Sequence, residues 1–347
     1  MSARLDRLRA SLERPLLVTD LTNIFYLTGF ETSNAALLIE PDGGAPRLFT
    51  DFRYIEAAQE TPGVEALLAK RALMRDLADQ LEGEIAFEAH ALPYAQYEVL
   101  ARGGAKLVPT RGIVENVRAV KDDDELERIR RAARAADRAF EALTAETWIG
   151  RSERELAWRL RQLLHAHGVD HLSFDTAVGA GPDGSKPHVD PGERLIERNQ
   201  LVVVDWGARL DGYCSDCTRT VSTGALPKEL RRAYDVCLEA QQRAVENIRP
   251  GMTGVEADRI AREVIDDAGF GEHFGHGLGH GVGLLIHEAP RLSTESEDVL
   301  EPGHVVTIEP GIYLPGVGGV RIEDLAVVRD DGVEILTSFP KELIEVS

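Results

Sequence analysis

The chain has 347 residues, enough for two domains with substantial cores. Its 59 acidic against 39 basic residues give a net charge of −20, which argues against nucleic acid or an anionic membrane as a partner. No apolar run approaches the roughly 18 residues of a membrane span, three cysteines cannot build a disulfide framework, and Met1-Ser2-Ala3-Arg4-Leu5-Asp6-Arg7 lacks the apolar core of a signal peptide, so a reducing, cytoplasmic setting is the expectation.

Between residues 16 and 110, short β-like runs such as Ala35-Ala36-Leu37-Leu38-Ile39 and Ile85-Ala86-Phe87 alternate with helix-like stretches, and Asp42-Gly43-Gly44 marks a hairpin turn. This pattern predicts an α/β domain without a cluster of potential ligands. The boundary is expected near 114–118, giving an N-terminal domain over 1–117 and a C-terminal domain over 118–347. From Asp123 the apolar or small residues Leu126, Ile129, Ala133, Ala136, Phe140 and Leu143 fall on one helical face. Ser152 with Glu155 and Thr253 with Glu256 are capping boxes for further helices, and Pro227 opens another that runs to Pro250-Gly251.

The chemistry-bearing residues lie between and after these helices. Asp205 closes the apolar run Leu201-Val202-Val203-Val204, and Asp216 sits in Tyr213-Cys214-Ser215-Asp216-Cys217-Thr218. Asp211-Gly212 between them is a hairpin signal, and a hairpin centred between 210 and 211 sets Asp205 opposite Asp216. Glu309 ends His304-Val305-Val306-Thr307-Ile308, Glu323 lies in Gly319-Val320-Arg321-Ile322-Glu323, and a loop centred on Gly316 sets these two acids opposite each other. Acids at the ends of apolar strands are expected to be buried, where an uncompensated charge is costly. Four carboxylates plus the imidazole of His280 suit a pair of divalent cations, with Mn²⁺ first and Co²⁺, Fe²⁺ or Zn²⁺ also tolerated. Such a pair activates water against an amide or phosphate.

The segments Val204-Asp205-Trp206-Gly207-Ala208, Ser215-Asp216-Cys217-Thr218-Arg219, Gly275-His276-Gly277-Leu278-Gly279-His280-Gly281, Ile308-Glu309-Pro310-Gly311-Ile312-Tyr313 and Val320-Arg321-Ile322-Glu323-Asp324 resemble those of the creatinase/aminopeptidase superfamily of "pita-bread" metallopeptidases. The resemblance is strong from about residue 120 onward. It implies a curved antiparallel sheet covered by helices, with an α/β domain in front of it. It further implies that Asp205 chelates one metal, that Asp216 and Glu323 bridge both, that His280 and Glu309 ligate the other, and that Glu309 also shuttles a proton. A small peptide substrate and a homodimer are family expectations as well.

By the same resemblance His188 and His287 act on the substrate at the scissile amide, with His276 a further pocket residue. Arg291 is placed to bind a dipeptide's C-terminal carboxylate, as an arginine fork allows. Arg321 shares a strand face with Glu323 and either contacts substrate or orients the acids. His287-Glu288-Ala289-Pro290-Arg291 is not a zinc helix, because position 291 is arginine and Pro290 breaks a helix. Cys214 and Cys217 point to opposite faces of a strand and read as structural thiols, although Cys214 shares a face with Asp216. The implied activity is hydrolysis of the bond before proline in Xaa-Pro dipeptides. The alternatives are an aminopeptidase P acting on longer Xaa-Pro peptides and a non-catalytic peptide-binding member of the fold.

Overall fold

In the computed structural model, which describes residues 2–347, the chain divides into two compact units, Met1–Arg118 and Ala119–Ser347. Among the described residues no helix is long and apolar enough to cross a membrane.

The first unit is a six-stranded mixed sheet. Leu16–Val18 lies at its middle, antiparallel to Ala35–Ile39 and parallel to Glu84–Glu88. Arg47–Thr50 with Glu65–Leu68 extends one edge, and Lys106–Thr110 the other. The central strands are buried because their residues are apolar in unbroken runs. Helix Leu21–Thr28 is defined by its ends: Asp20 accepts from the Thr22 and Asn23 N–H groups, and Gly29 terminates the helix at φ +73°. Gly43 and Gly44 take positive φ in the predicted turn between Ala35–Ile39 and Arg47–Thr50.

The second unit holds two helix pairs, each covering its own part of a curved antiparallel sheet system. Helices Asp123–Thr144 and Glu153–Ala166 begin at capping boxes, Asp122 with Glu125 and Ser152 with Glu155. Their apolar faces share a core with Val202, Val204 and Trp206 of strand Leu201–Trp206, which lies between Ala177–Ala180 and Cys217–Ser222. Lys228–Asn247 starts after Pro227, and Gly254–Asp267 starts at the Thr253–Glu256 box. This pair shares a second core with Val306, Ile308, Ile312, Val320 and Ala326. The strands there are Glu288–Leu292, Gly279–Gly281, Val305–Ile308, Asp324–Arg329 and Gly332–Ile335, in that order across the sheet.

Both acid-bearing hairpins are interrupted where their acids sit. In the first, Leu201–Trp206 pairs with Cys217–Ser222, and the arms continue as Ala208–Leu210 and Tyr213–Cys214. Gly207 on one arm and Ser215-Asp216 on the other lie in the gap. A Cβ at Gly207 would collide with the Ser215 carbonyl, so only glycine lets the arms approach there. In the second hairpin, Val305–Ile308 pairs with Asp324–Arg329 and Gly311–Leu314 with Gly318–Arg321. Glu309-Pro310 and Ile322-Glu323 fill the gap, and Gly316, at φ +75°, turns the tip. Such interruptions bend a strand and re-aim its side chains.

Candidate metal centre

The second hairpin has the predicted register: Gly311 stands opposite Arg321 and Ile308 opposite Asp324, so Glu309 and Glu323 are partners across the gap. The first hairpin does not. Asp205 stands opposite Thr218 rather than Asp216. The reason is the turn, in which Asp211 and Gly212 take φ of +48° and +84° as the two central residues between Leu210 and Tyr213. The hairpin is therefore centred one position later than expected, and the partner of Asp205 moves by two residues. A shift of two keeps the face, so Asp216 approaches Asp205 diagonally. Carboxylate oxygens of Asp205, Asp216 and Glu323 lie within 4.8 Å of one another.

The imidazole reaches the same point from the other sheet. A register shift follows His280 in strand Gly279–Gly281. Its Nδ1–H donates to the Gly281 carbonyl at 3.1 Å, which in the neutral ring leaves Nε2 without a proton. Nε2 is 3.3 Å from Glu309 Oε1 and 3.6 Å from Asp216 Oδ2. Burial lowers the His280 pKa, which favours the neutral ring, the form that can bind a metal. Thr307 Oγ1 donates to Glu309 Oε1 at 2.9 Å and accepts from the His280 N–H at 3.0 Å, coupling the two residues.

The acids are held from behind. Thr218 Oγ1 donates to Glu323 Oε2 at 2.7 Å. Arg321 donates through Nη2 to Asp205 Oδ2 at 2.5 Å, through Nε to Thr218 Oγ1 at 3.0 Å, and through Nη1 to Tyr313 Oη and the Pro187 carbonyl at 3.1 and 2.9 Å. These bonds are what an orienting role for Arg321 requires, and its side chain also lines the cavity. His276 lines the cavity. Its Nδ1–H donates to the Gly277 carbonyl at 2.8 Å and its Nε2 accepts from Tyr313 Oη at 3.0 Å, which fixes the ring's orientation there. Thr218, Thr307 and Tyr313 had no role in the sequence reading. They lie inside or next to the quoted motifs, but the partners that tie them into the cluster, Glu323 for Thr218, His280 for Thr307 and His276 for Tyr313, are 105, 27 and 37 residues away.

Burial pushes the Asp216 and Glu323 carboxyls well above the usual carboxylate range, and the neighbouring acids add to it. Burial also raises Glu309, against the opposing pull of Arg321. Asp205 Oδ1 and Glu323 Oε1 are buried and receive no hydrogen bond. Donorless carboxylate oxygens inside a protein are costly, and divalent cations are the partners this donor set suits. Another His/carboxylate group, Asp20, His90 and Glu115, occurs in the first unit, but it is more exposed.

A cavity of about 780 Å³ opens over the acids, and its walls include His188, His287, His276, Arg291 and Arg321. His188, His287 and Arg291 are exposed at its rim. The His287 ring stands edge-on to His280, with centroids 4.3 Å apart, and burial together with that neighbour lowers its pKa. Arg291 lies in strand Glu288–Leu292, directly opposite His280, in a segment that is a strand and not a zinc-binding helix. Cys214 is buried with its thiol on the Leu284 carbonyl.

A paired-helix, broken-hairpin fold with buried carboxylates and one neutral imidazole beneath a cavity defines a metal-dependent hydrolase. The comparisons agree. Residues 127–330 match the model of metallopeptidase family M24, and residues 4–120 match the creatinase/prolidase N-terminal domain. The chain belongs to metallopeptidase family M24. It is 36% identical to an Xaa-Pro dipeptidase of Pyrococcus horikoshii over 95% of this chain and 94% of that protein. The solved Xaa-Pro dipeptidase from Bacillus anthracis superposes with a TM-score of 0.96 at 38% identity, covering 99% of both chains. An X-Pro aminopeptidase from Thermotoga maritima superposes with a TM-score of 0.90 at 32% identity, covering 98% of this chain and 100% of that one.

Proposed function

We propose that this metallopeptidase cleaves the peptide bond before proline in free Xaa-Pro dipeptides, using two divalent cations held by Asp205, Asp216, His280, Glu309 and Glu323. The observation that carries the reading is the pair of buried, donorless oxygens, Asp205 Oδ1 and Glu323 Oε1, within a cluster of acids that opens to the cavity. Mn²⁺ is the first choice of ion, followed by Co²⁺, Fe²⁺ and Zn²⁺. Bound there, the cations would polarise the scissile carbonyl and lower the pKa of a water. Asp205, Asp216 and Glu323, whose carboxylate oxygens lie within 4.8 Å of one another, would hold the ions together with His280 and Glu309.

The chain's own groups do the rest. Glu309, held at the cluster by its bond from Thr307 and lining the cavity, suits a group that takes a proton from water and delivers it to the leaving nitrogen. A proline nitrogen leaves poorly until it is protonated. His188 and His287 stand at the rim as donors toward the charge that develops on the amide oxygen. Arg291 would take the dipeptide's C-terminal carboxylate in a charge-assisted bond. The proposal includes a cytoplasmic homodimer, to be checked by fractionation and sedimentation.

The test is release of proline from Ala-Pro and Met-Pro against hydrolysis of Ala-Pro-Ala, after stripping the protein and reloading it with each metal in turn. Fast dipeptide and slow tripeptide turnover is expected. The opposite pattern would reassign the chain to aminopeptidase P, the activity in the name of its Thermotoga maritima neighbour. Absence of both activities, with no metal retained on reloading, would remove the metallopeptidase chemistry and leave a peptide-binding protein.

A further inference from the structure

Two residues of the quoted motifs, Arg219 and Asp324, have no part in the mechanism above. Both are almost wholly buried, at 3% and 1% side-chain exposure, and they form an ion pair with Nη2 2.8 Å from Oδ1. Taking two such charges out of water costs several kcal/mol per ion, and apolar residues of the same volume would serve packing as well. What an ion pair supplies beyond packing is direction.

That direction bears on Glu323, which lies in the gap between strands Gly318–Arg321 and Asp324–Arg329 and so has no ladder partner of its own. Its backbone is held instead by the hairpin that carries Asp205 and Asp216. The Glu323 N–H donates to the Thr218 carbonyl at 3.1 Å, and Arg219 Nη1 donates both to that same carbonyl, at 3.0 Å, and to the Glu323 carbonyl. Arg219 is in turn held by the C-terminal segment: Nε donates to the Pro340 carbonyl at 2.9 Å and Nη2 to the Phe339 carbonyl at 2.6 Å. Asp324 is saturated by that segment and by helix Lys228–Asn247. It accepts from Thr337 Oγ1 at 3.0 Å, Lys341 Nζ at 2.7 Å and Gln241 Nε2 at 2.9 Å. The segment is anchored independently, since Ser338 donates to Asp137 through N and Oγ and the Phe339 ring packs edge-on to Phe140.

We propose that the Arg219–Asp324 pair, latched by residues 337–341, is the device that positions Glu323 for metal binding, and that these are positioning residues rather than parts of the general core. The inference rests on the reading of Glu323 as a ligand. Without the latch, Glu323 keeps its two bonds to Thr218, from Oγ1 to its carboxylate and from its N–H to the carbonyl, but its own carbonyl loses the Arg219 guanidinium.

The experiment compares Arg219→Lys, Asp324→Asn and Thr337→Val with Glu323→Gln and the unaltered protein. Each is stripped of metal, its thermal midpoint is recorded, and Mn²⁺ is titrated in by calorimetry. Arg219→Lys and Asp324→Asn are expected to weaken Mn²⁺ binding by about 10–100-fold, the usual effect of losing a group that orients a ligand. Thr337→Val, which keeps every charge, is expected to weaken it by a few-fold while the stripped protein still folds, so it decides the question if the charge variants do not fold. At saturating Mn²⁺ the remaining defect is expected in kcat, with KM for Ala-Pro little changed. Unchanged Mn²⁺ affinity in Asp324→Asn and Thr337→Val, whatever happens to the thermal midpoint, overturns the latch. If Glu323→Gln itself binds Mn²⁺ normally, the ligand reading fails and the latch with it. If only Glu323→Gln loses the metal, the ligand reading stands and the latch alone is refuted.

Discussion

Arg321 Nη2 and Asp205 Oδ2 meet at 2.5 Å, across 116 residues of chain, and the guanidinium is the buried cation facing the acid cluster. Removing one partner of a buried pair leaves the other uncompensated, at a cost of roughly 3–5 kcal/mol. Arg321→Met is therefore expected to destabilise the metal-free protein by that order and the Mn²⁺-loaded protein by less. Denaturant unfolding of both forms measures the difference. Equal losses in the two forms would show that Arg321 does not balance the charge that the metals balance.

Glu309→Gln keeps the side-chain shape and an acceptor for Thr307 Oγ1 but cannot carry the proton. Turnover of Ala-Pro is expected to fall by about 10²–10⁴-fold, the range for a lost general acid–base group. Asp216→Asn is expected to lower bound metal as well as turnover, as read by elemental analysis beside the kinetics. Normal activity in either variant would refute the assigned roles.

Arg291 stands opposite His280 in the sheet and exposes its side chain at the cavity rim. If it holds the substrate carboxylate, Arg291→Ala loses a charge-assisted bond worth about 1.5–3 kcal/mol, or roughly 10–100-fold in kcat/KM for Ala-Pro. A substrate lacking that carboxylate, Ala-prolinamide, is expected to be cleaved about equally by both proteins. An equal loss on both substrates would assign Arg291 to the architecture of the strand.

His304 gives a pH dependence of stability that is independent of the metal. Burial, with Lys121 nearby, lowers its pKa to about 4, and its Nδ1 accepts from the Glu301 N–H at 3.1 Å. The folded state therefore resists protonation that the unfolded chain accepts near pH 6.5. Above both values the ring is neutral in both states and contributes no slope. As pH falls from about 6.5 toward 4 the unfolded state binds the extra proton, and stability declines by up to about 3 kcal/mol. His304→Asn, whose carbonyl can still accept from Glu301, is expected to flatten this part of the curve in urea unfolding at pH 7.5, 6.0 and 5.0. A variant with the same slope as the parent would locate the dependence elsewhere.

Much of the fold was legible where the controlling interactions are local. The boxes Ser152–Glu155 and Thr253–Glu256 start helices at the expected residues, because each cap and its partner are three residues apart. The tip at Gly316 sets the second hairpin's register for the same reason, since a tight turn leaves its flanking strands one way to pair. In the first hairpin an equally visible Asp-Gly signal was centred one position early, and the face survived only because the resulting shift was by two residues.

By itself, the sequence determined which residues can supply the chemistry: four acids and an imidazole at strand ends, with helices before and between them, in an order that marks the family. Only the tertiary structure decided how they are arranged. It interrupts both hairpins so that the acids turn inward, gives both His276 nitrogens to the protein, turns Arg321 onto Asp205, and closes Arg219 and Asp324 behind Glu323. Each of these depends on a hydrogen bond or close contact whose partner lies in a different arm or a distant segment. Propensity and spacing act over a few residues, whereas the partner of a buried polar group is chosen by which segments packing brings together.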